Sequence, residues 1–448
     1  MSIVHSITET AHAFPSERLT YAGTVPDCWA ADEEAAVSTT IGVDHGGVER
    51  DFDIFSDEYI ADPSRVWDEL RTECPVAHSE RNGGGWMPTT WDDIAAVAYD
   101  TDNFSSRDSS VARTPEGASF ISAPPITSDP PFHADARRML LPFFSPKAVE
   151  DLVEVTRSIA RERLDVIAAQ TGANRGGSGV VDAADAFSKY IPVRVIARIL
   201  GLPESDEPMF TRWAVAVLQA TPEEHDHRAL ATREVLKYFG DLVDARREER
   251  ADDLPSKLID MRLPNGDPLT NRHITGVGFL LLLAGIDTTW SSISASLLHL
   301  ATYPDDRERL LAEPELLDSA IEEFLRAYAP VTMARISATD DAEISGCPVP
   351  KGDKVYLPFG AGNRDPAMFD RPDEVLIDRA HNRHVAFGIG IHRCLGSNLA
   401  RMELKVALEE WLARFPNFEL ATDADGRSAE WGGSQIRGPR NLQIRVGI

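Results

Sequence analysis

A ten-residue segment near the C-terminus constrains the fold of this chain more than any other part of its sequence. The segment runs from Phe387 to Gly396 and surrounds Cys394 with three glycines. Glycine allows a tight loop and a close approach of the backbone to a neighbouring atom. The residues from Asn398 to Phe415 then carry the apolar spacing of an amphipathic helix. The sequence therefore predicts that Cys394 lies in a tight loop at a helix N-terminus.

This predicted position favours ionisation of the Cys394 thiol. Unpaired amides and the helix macrodipole stabilise negative charge at a helix N-terminus, and His392 and Arg393 add two cationic or potentially cationic neighbours. A rigidly held thiolate is the proximal ligand that a haem iron needs for O–O cleavage. The alternative is a buried cysteine that acts as a small apolar side chain, which is the usual role of a lone cysteine. That alternative leaves the glycines and the His-Arg pair unexplained.

A long apolar stretch, Thr270 to Tyr303, is the second informative feature. As one helix it would be about 50 Å long, enough to cross a domain of this size. Four small or hydroxyl-bearing residues fall at i, i+3, i+4 and i+7, so they share one stripe of the helix: Gly285, Thr288, Thr289 and Ser292. The stripe predicts a polar notch in a core helix. Taken alone, it is equally typical of close packing against a neighbouring helix.

Together the two features resemble those of the cytochrome P-450 monooxygenases. The match to the family's haem-binding loop is carried by Phe387, Gly388, Gly390, His392, Cys394 and Gly396. The notch at Ala284–Thr289 is similar to the family's oxygen-activation segment, which pairs an acid with an alcohol. The resemblance extends from about Asp51 to the C-terminus. It implies a mainly α fold with small β-sheets, the cytochrome P-450 fold, in which the long central helix lies over the haem.

The resemblance also implies roles for individual residues. Cys394 would be the axial ligand of the haem iron, within a loop that includes Phe387 and Gly388. The haem propionates would be bound by His133, Arg137, Arg335 and His392. Thr288 would hold a water beside the oxygen under reduction, and Asp287 would relay protons from bulk solvent.

Two further groups follow from the same resemblance. A buried structural triad would lock the loop that carries the thiolate; its members would be Glu323, Arg326 and Arg379. The substrate pocket would include Leu283, Ala284, Val331 and Met333.

The implied reaction inserts one atom of O2 into a mostly apolar small organic substrate, by hydroxylation, epoxidation or heteroatom dealkylation. The cofactor would be haem b, and two electrons would come from an external ferredoxin and its reductase, ultimately from NAD(P)H. Asp287 and Thr288 favour this reaction over a peroxide-driven one, because the peroxygenase branch of the family lacks the acid-alcohol pair. A haem-binding sensor or sequestering protein without turnover is the second alternative.

Charge and cysteine content exclude other classes of protein. The formal net charge is −27, which disfavours binding to nucleic acid or to an anionic membrane. The four cysteines lack CxxC spacing, so neither a zinc site nor a disulfide framework is indicated. The longest apolar run, Val277 to Ile286, is too short to span a bilayer. We expect a monomeric cytoplasmic protein without a membrane anchor.

We expect residues 1–50 to form an N-terminal extension that lies on the surface or is partly disordered, and residues 51–448 to form one haem-thiolate domain. Helices are predicted at Asp62–Arg71, Trp91–Tyr99, Lys147–Ala169, Ile191–Leu200, Glu207–Gln219, His227–Arg250, Thr270–Tyr303, Asp305–Leu311, Pro314–Tyr328 and Asn398–Phe415. Short strands are predicted at Val76–His78, Gly85–Met87 and Val355–Leu357.

Overall fold

The structure is a computed structural model that describes residues 52–112, 120–433 and 435–447. The predicted N-terminal extension, residues 1–50, lies outside the described residues. The α-helices of the described part are α1 (Asp57–Ala61), α2 (Pro63–Glu73), α3 (Trp91–Tyr99), α4 (Phe132–Leu140), α5 (Pro146–Glu150), α6 (Val153–Thr171), α7 (Tyr190–Leu200), α8 (Glu207–Leu218), α9 (His225–Glu248), α10 (Leu254–Asp260), α11 (Asn271–Thr302), α12 (Pro304–Ala312), α13 (Leu317–Ala327), α14 (Phe359–Gly362) and α15 (Ser397–Arg414).

Short strands complete the fold, and the predicted mainly α architecture with small sheets is confirmed. The strands are β1 (Val76–Ser79), β2 (Gly85–Pro88), β3 (Phe104–Ser105), β4 (Gly179–Asp182), β5 (Thr332–Ser337), β6 (Glu343–Ile344), β7 (Cys347–Pro348), β8 (Lys354–Pro358), β9 (Phe418–Leu420), β10 (Ala429–Gly432) and β11 (Gly438–Val446). One sheet has the order β1-β2-β8-β5-β3, a second has the order β10-β11-β4 with β9 also paired to β11, and β6 pairs with β7.

Helix α11 is the central element of the helical core. It begins after Thr270, whose side-chain oxygen accepts a hydrogen bond from the amide of His273, and it packs against α7, α8, α9, α15 and β11. Its length and composition would suffice to cross a membrane, but most of its apolar stretch is buried inside the protein. The observed bounds lie within one residue of the predicted Thr270 and Tyr303. The apolar side chains of this long helix are therefore buried by the elements that surround it.

One predicted helix, Lys147–Ala169, is wrong as a single element, because the chain forms α5 and α6 instead. The amide of Leu152 donates to the Val149 carbonyl at 3.0 Å, an i→i+3 bond that tightens the backbone and ends α5. Helices α1, α10 and α14 were not predicted from spacing. They span only five, seven and four residues, too few to display a helical period.

The buried apolar side chains form two clusters. The larger one contains side chains from each helix between α6 and α13 and from α15. In the smaller one, α2 and α3 pack on the sheet that contains β1, β2, β5 and β8. Residues of both clusters line one cavity: Leu283 and Leu399 belong to the first, and Phe359 belongs to the second. The fold therefore places its principal cavity between a helical core and a small sheet.

An ion pair ties α13 to α15. Glu322 accepts hydrogen bonds from Arg401 Nε at 2.5 Å and from Arg401 Nη2 at 2.7 Å, and His384 Nε2 lies 3.0 Å from the same carboxylate. Burial raises the pKa of Glu322, but the hydrogen bonds and charges of Arg401 and His384 outweigh burial and lower that pKa from 4.5 to about 2. The carboxylate is therefore more stable in the folded protein than in the unfolded chain.

A lowered folded-state pKa adds stability that is present above the unfolded-state pKa and disappears as pH falls through the folded-state value. For Glu322 this window runs from 4.5 down to about 2. We expect the free energy of unfolding, measured with urea, to fall less steeply below pH 4.5 in Glu322→Gln than in the parent protein. Glu315→Gln, at an exposed position, should retain the parent's pH dependence. Identical pH profiles for the parent and Glu322→Gln would contradict the assignment.

Candidate functional site

The principal cavity has a volume of about 570 Å³ and brings the two informative sequence features together. Cys394 lines it, and so do the residues of the predicted stripe on α11: Gly285, Thr288, Thr289 and Ser292. Ala284 is exposed although Leu283 and Ile286 of the same helix are buried, because it faces this cavity. The stripe therefore lines open space, while its glycine also allows close packing, because a Cβ at Gly285 would lie 2.9 Å from Ile196 Cγ1 of α7.

The cysteine loop has the tight geometry that its glycines predict. Gly388 and Gly390 have φ values of 68° and 73°, a region that favours glycine. A Cβ at Gly390 would lie 2.4 Å from the Ala98 carbonyl oxygen, so a side chain would collide with the backbone of α3. The amide of Cys394 donates to the Phe387 carbonyl at 2.7 Å and closes the loop. Helix α15 then starts three residues after the cysteine.

The prediction that this position favours a thiolate is wrong in net direction. Burial raises the pKa of the Cys394 thiol, whereas the hydrogen bond of the Gly396 amide and the charges of Arg137, Arg393 and Arg401 lower it by a smaller amount. The helix start and Arg393 act as the sequence indicates, but His392 does not, because burial lowers its pKa to about 2 and keeps its ring neutral. Burial of the thiol outweighs the groups that lower its pKa. A coordinating metal ion would supply the missing stabilisation, because a thiol that binds a metal loses its proton.

Three of the cationic or titratable residues predicted to bind propionates line the cavity: Arg137, Arg335 and His392. Arg335 is 3% exposed and donates through Nη1 to the Ala334 carbonyl at 2.8 Å. Burial lowers the pKa of Arg335 to about 10, with a small opposing effect from Asp129. Among the described residues no carboxylate forms an ion pair with Arg335. A buried cation of this kind fits an anion supplied from outside the chain.

His133, the fourth such residue, lies behind His392 and is absent from the described lining of the cavity. The centroids of the two rings are 4.4 Å apart, and His133 Nε2 is buried without a partner in the described structure. His392 Nε2 lies 2.8 Å from Ser106 Oγ. Together with Arg137 and Arg335, these polar groups would suit the two carboxylates of a haem bound beside Cys394.

The three residues of the predicted triad are in contact. Glu323 and Arg326 are fully buried, and Arg326 Nε donates to Glu323 Oε2 at 2.8 Å. Arg379 Nε donates to the same oxygen at 2.9 Å. Burial raises the pKa of Glu323, but the two arginines and the Leu376 amide outweigh it and lower that pKa. The carboxylate is therefore held in its ionised form.

A residue without a sequence-predicted role, Asn363, connects this triad to the cysteine loop. Arg326 Nη1 donates to the Asn363 carbonyl at 2.9 Å, and Asn363 Oδ1 accepts from the Val385 amide at 2.7 Å. The Val385 carbonyl in turn accepts from the Gly388 amide at 2.8 Å. The triad thus reaches the loop through a continuous path of hydrogen bonds. Sequence spacing carries no sign of this path, because its partners are far apart along the chain.

The predicted acid and alcohol occupy different sides of α11. Thr288 lines the cavity, and its hydroxyl donates to the Ala284 carbonyl at 2.8 Å. Asp287 is fully buried outside the cavity, where Oδ1 accepts from Arg440 Nη1 at 2.6 Å and from Gln219 Nε2 at 2.9 Å. Its Oδ2 has no partner among the described residues. Burial raises the pKa of Asp287, and the two donors offset only part of that rise.

Glu403 on α15 is a lining residue that the sequence did not reveal. Burial raises its pKa to about 8, and a hydrogen bond with Thr289 lowers it by less. Glu403 is therefore largely protonated at neutral pH. A glutamate in an amphipathic helix is usually solvated, and only the tertiary structure shows that this one is enclosed. The four predicted pocket residues all line the cavity: Leu283, Ala284, Val331 and Met333.

Comparisons with known proteins agree with this geometry. The family model described as Cytochrome P-450 matches residues 193–444. The chain is 33% identical to 6-deoxyerythronolide B hydroxylase of Saccharopolyspora erythraea over 88% of its own length and 98% of that protein. It is 34% identical to mycinamicin IV hydroxylase/epoxidase of Micromonospora griseorubida, over 84% and 94% of the two chains. The solved structure of the bacillaene polyketide synthase cytochrome PksS of Bacillus subtilis is similar with a TM-score of 0.78 and 30% identity, over 88% of this chain and 99% of that one.

Proposed function

This chain belongs to the cytochrome P-450 family, and from that premise we propose that its cavity inserts one atom of O2 into a mostly apolar small organic substrate. The protein is a haem-thiolate monooxygenase, and its family uses haem b and O2 with electrons derived from NAD(P)H. The observation that carries the proposal is the single cavity that places Cys394 and the hydroxyl stripe of α11 together. When bound there, the haem supplies the oxygen activation.

The residues of the cavity divide the task of holding the cofactor. Cys394 would supply the thiolate ligand, and Arg137, Arg335 and His392 would bind the propionates, with His133 beside His392. Burial raises the pKa of the Cys394 thiol, and a bound iron would favour its deprotonated form. The loop stays rigid through its bond from Cys394 to Phe387 and through the path to the buried triad.

Proton delivery uses the two sides of α11. Thr288 holds a water in the cavity, and Asp287 carries the proton on Oδ2, because Arg440 and Gln219 already occupy Oδ1. The raised pKa of Asp287, caused by burial, makes its carboxyl a better proton carrier at neutral pH than an exposed aspartate. Delivery to the cavity requires the Asp287 side chain to leave Arg440.

Cys394→Ala should abolish the strongly red-shifted Soret band of the ferrous carbonyl complex, because it removes the thiolate. Cys347→Ala is the matched control, since Cys347 lies on β7 outside the cavity, and it should retain the band. The measurement is the absorption difference spectrum of the reduced protein with carbon monoxide. A thiolate-type band in Cys394→Ala would rule out the proposed ligand and the function with it.

Thr288→Ala should still bind substrate and accept electrons but should form product with a yield per electron at least about tenfold lower, since a positioned proton-transfer group contributes about 10²–10⁴-fold. The lost electrons should appear as hydrogen peroxide, measured together with product. Ser296→Ala removes a hydroxyl with the same i−4 bond from the same helix, outside the cavity, and should stay coupled. An unchanged yield in Thr288→Ala would leave the notch without a role, and activity with peroxide alone would favour the peroxide-driven alternative.

Electrons come, we infer, from a ferredoxin and its reductase, which serve a monomeric cytoplasmic enzyme. The face near the cysteine loop carries Arg393 and Arg138, both exposed, and Arg138 is paired with Asp135 at 3.0 Å. Arg401 is less available because Glu322 neutralises it, and Arg137 faces the cavity. Positive charge on a chain of net charge −27 would orient an acidic donor toward this face and raise the association rate.

Arg393→Glu should slow ferredoxin-driven reduction strongly at low salt and weakly near physiological ionic strength, where the Debye length is about 8 Å. Reduction by dithionite should be unchanged, because dithionite needs no docking face. Arg212→Glu makes the same change of charge at an exposed position of α8 and should leave the rate near the parent's. Equal rates for the parent and Arg393→Glu at low ionic strength would exclude this face. The measurement is stopped-flow reduction under carbon monoxide.

A further inference from the structure

The lining of the cavity is cationic although the chain as a whole is strongly acidic. Five arginines and two carboxylic acids line it: Arg107, Arg137, Arg228, Arg233 and Arg335, with Asp108 and Glu403. Lys354 pairs with Asp108 at 3.1 Å, and Glu403 is largely protonated at neutral pH. The two acids therefore do not balance the arginines, and the cavity attracts anions.

Two of these arginines are accounted for by the haem propionates in the proposed function. Arg228, Arg107 and Arg233 remain, on the wall formed by the start of α9 and by the segment that follows β3. Arg107 and Arg233 are exposed to solvent, which satisfies their charge, whereas Arg228 is only partly exposed. The wall thus holds one guanidinium that is largely withdrawn from water.

The hydrogen-bond partner of Arg228 is neutral, whereas a cation that is largely withdrawn from water is usually paired with a carboxylate. Its Nη2 donates to Ser110 Oγ at 2.6 Å, and no ion pair to Arg228 occurs among the described residues. Burial lowers the pKa of Arg228, and Asp108 opposes this only through its charge. Withdrawing a charge from water is costly unless it is paired. The unpaired charge of Arg228 therefore destabilises the folded protein, and a negatively charged ligand would remove that destabilisation.

We propose that Arg228 binds a carboxylate of the substrate, so that the substrate of this enzyme is an amphipathic organic acid. The inference rests on the proposed function, since it assigns the substrate of the same cavity. A guanidinium and a carboxylate match in geometry and form two parallel charge-assisted hydrogen bonds. The Ser110 hydroxyl holds the guanidinium in place, and Arg107 and Arg233 add positive potential at the same wall.

The rest of the cavity suits the apolar part of such a molecule. Apolar side chains that line it include Val217, Phe279, Leu283, Val331 and Met333. These residues surround the hydroxyl stripe of α11, where the reaction takes place under the proposed function. Binding of the carboxylate at Arg228 would therefore orient an apolar skeleton toward that stripe. A neutral analogue would fill the same space but would leave the guanidinium without an ionic partner, which gives the site a way to discriminate.

The test compares acids with their own methyl esters in the haem-loaded protein. The probes are dodecanoic acid with methyl dodecanoate, and lithocholic acid with methyl lithocholate, so that both a flexible and a rigid skeleton are tried. The dissociation constant is obtained from the substrate-induced shift of the Soret band of the ferric protein. We expect at least one acid to bind about tenfold more tightly than its ester, which corresponds to about 1.4 kcal/mol.

In Arg228→Gln this preference should disappear, whereas Arg228→Lys should keep part of it. Arg212→Gln removes an exposed charge from α8, outside the cavity, and should keep all of it. Equal affinities of acid and ester in the parent, a preference that survives Arg228→Gln, or no binding of any of the four probes would overturn the proposal. Loss of haem from Arg228→Gln would also overturn it, because Arg228 would then be a propionate ligand.

The ferrous carbonyl spectrum of each variant separates this proposal from the proposed function. A thiolate-type band together with equal binding of acid and ester would disprove the assignment of Arg228 and leave the haem-thiolate function intact. Absence of that band from the parent protein would disprove the function itself, whatever the probes do.

Discussion

The buried carboxylate of Glu323 is the constraint on which the cofactor site depends. It accepts hydrogen bonds from Arg326, Arg379, the Leu376 amide at 2.8 Å and Asn382 Nδ2 at 3.0 Å. A fully buried charge persists only where several donors satisfy it, and removal of one partner from such a pair costs about 3–5 kcal/mol. The Glu323 carboxylate therefore holds the segment that leads to Cys394, and loss of any of its donors would destabilise the protein.

Through this network the backbone around Cys394 is tied to the buried triad. Asn363 joins Arg326 to the backbone of Val385, and Val385 accepts from Gly388 at the start of the loop. The loop itself has room only for glycine at Gly390, where α3 lies against the backbone. Rigidity of this kind is what a metal ligand needs, because a mobile thiolate would lose entropy on every binding event.

Helix α11 separates two tasks by its geometry. Successive hydroxyls bond back to carbonyls one turn earlier, as Thr288 does to Ala284 and Ser292 does to Thr288 at 2.9 Å. These bonds satisfy the hydroxyls in an apolar helix without help from other elements. Asp287, one residue away, points to the other side and is held by Arg440 of β11. The same helix thus places its hydroxyl groups in the lining of the cavity and its carboxylate outside the cavity.

The sequence by itself determined those features that arise from neighbouring residues: the glycine loop with its helix start, the bounds of α11, the stripe that faces the cavity and the spacing of Glu323 and Arg326. These follow from backbone sterics and from the period of a helix, which need only local information. The tertiary structure decided the partner of Asp287, the link through Asn363, the withdrawal of Arg228 from water and the net direction of the pKa of Cys394. Burial and long-range ion pairs depend on which distant segments come together, and their free energies outweigh the local preferences of a helix terminus.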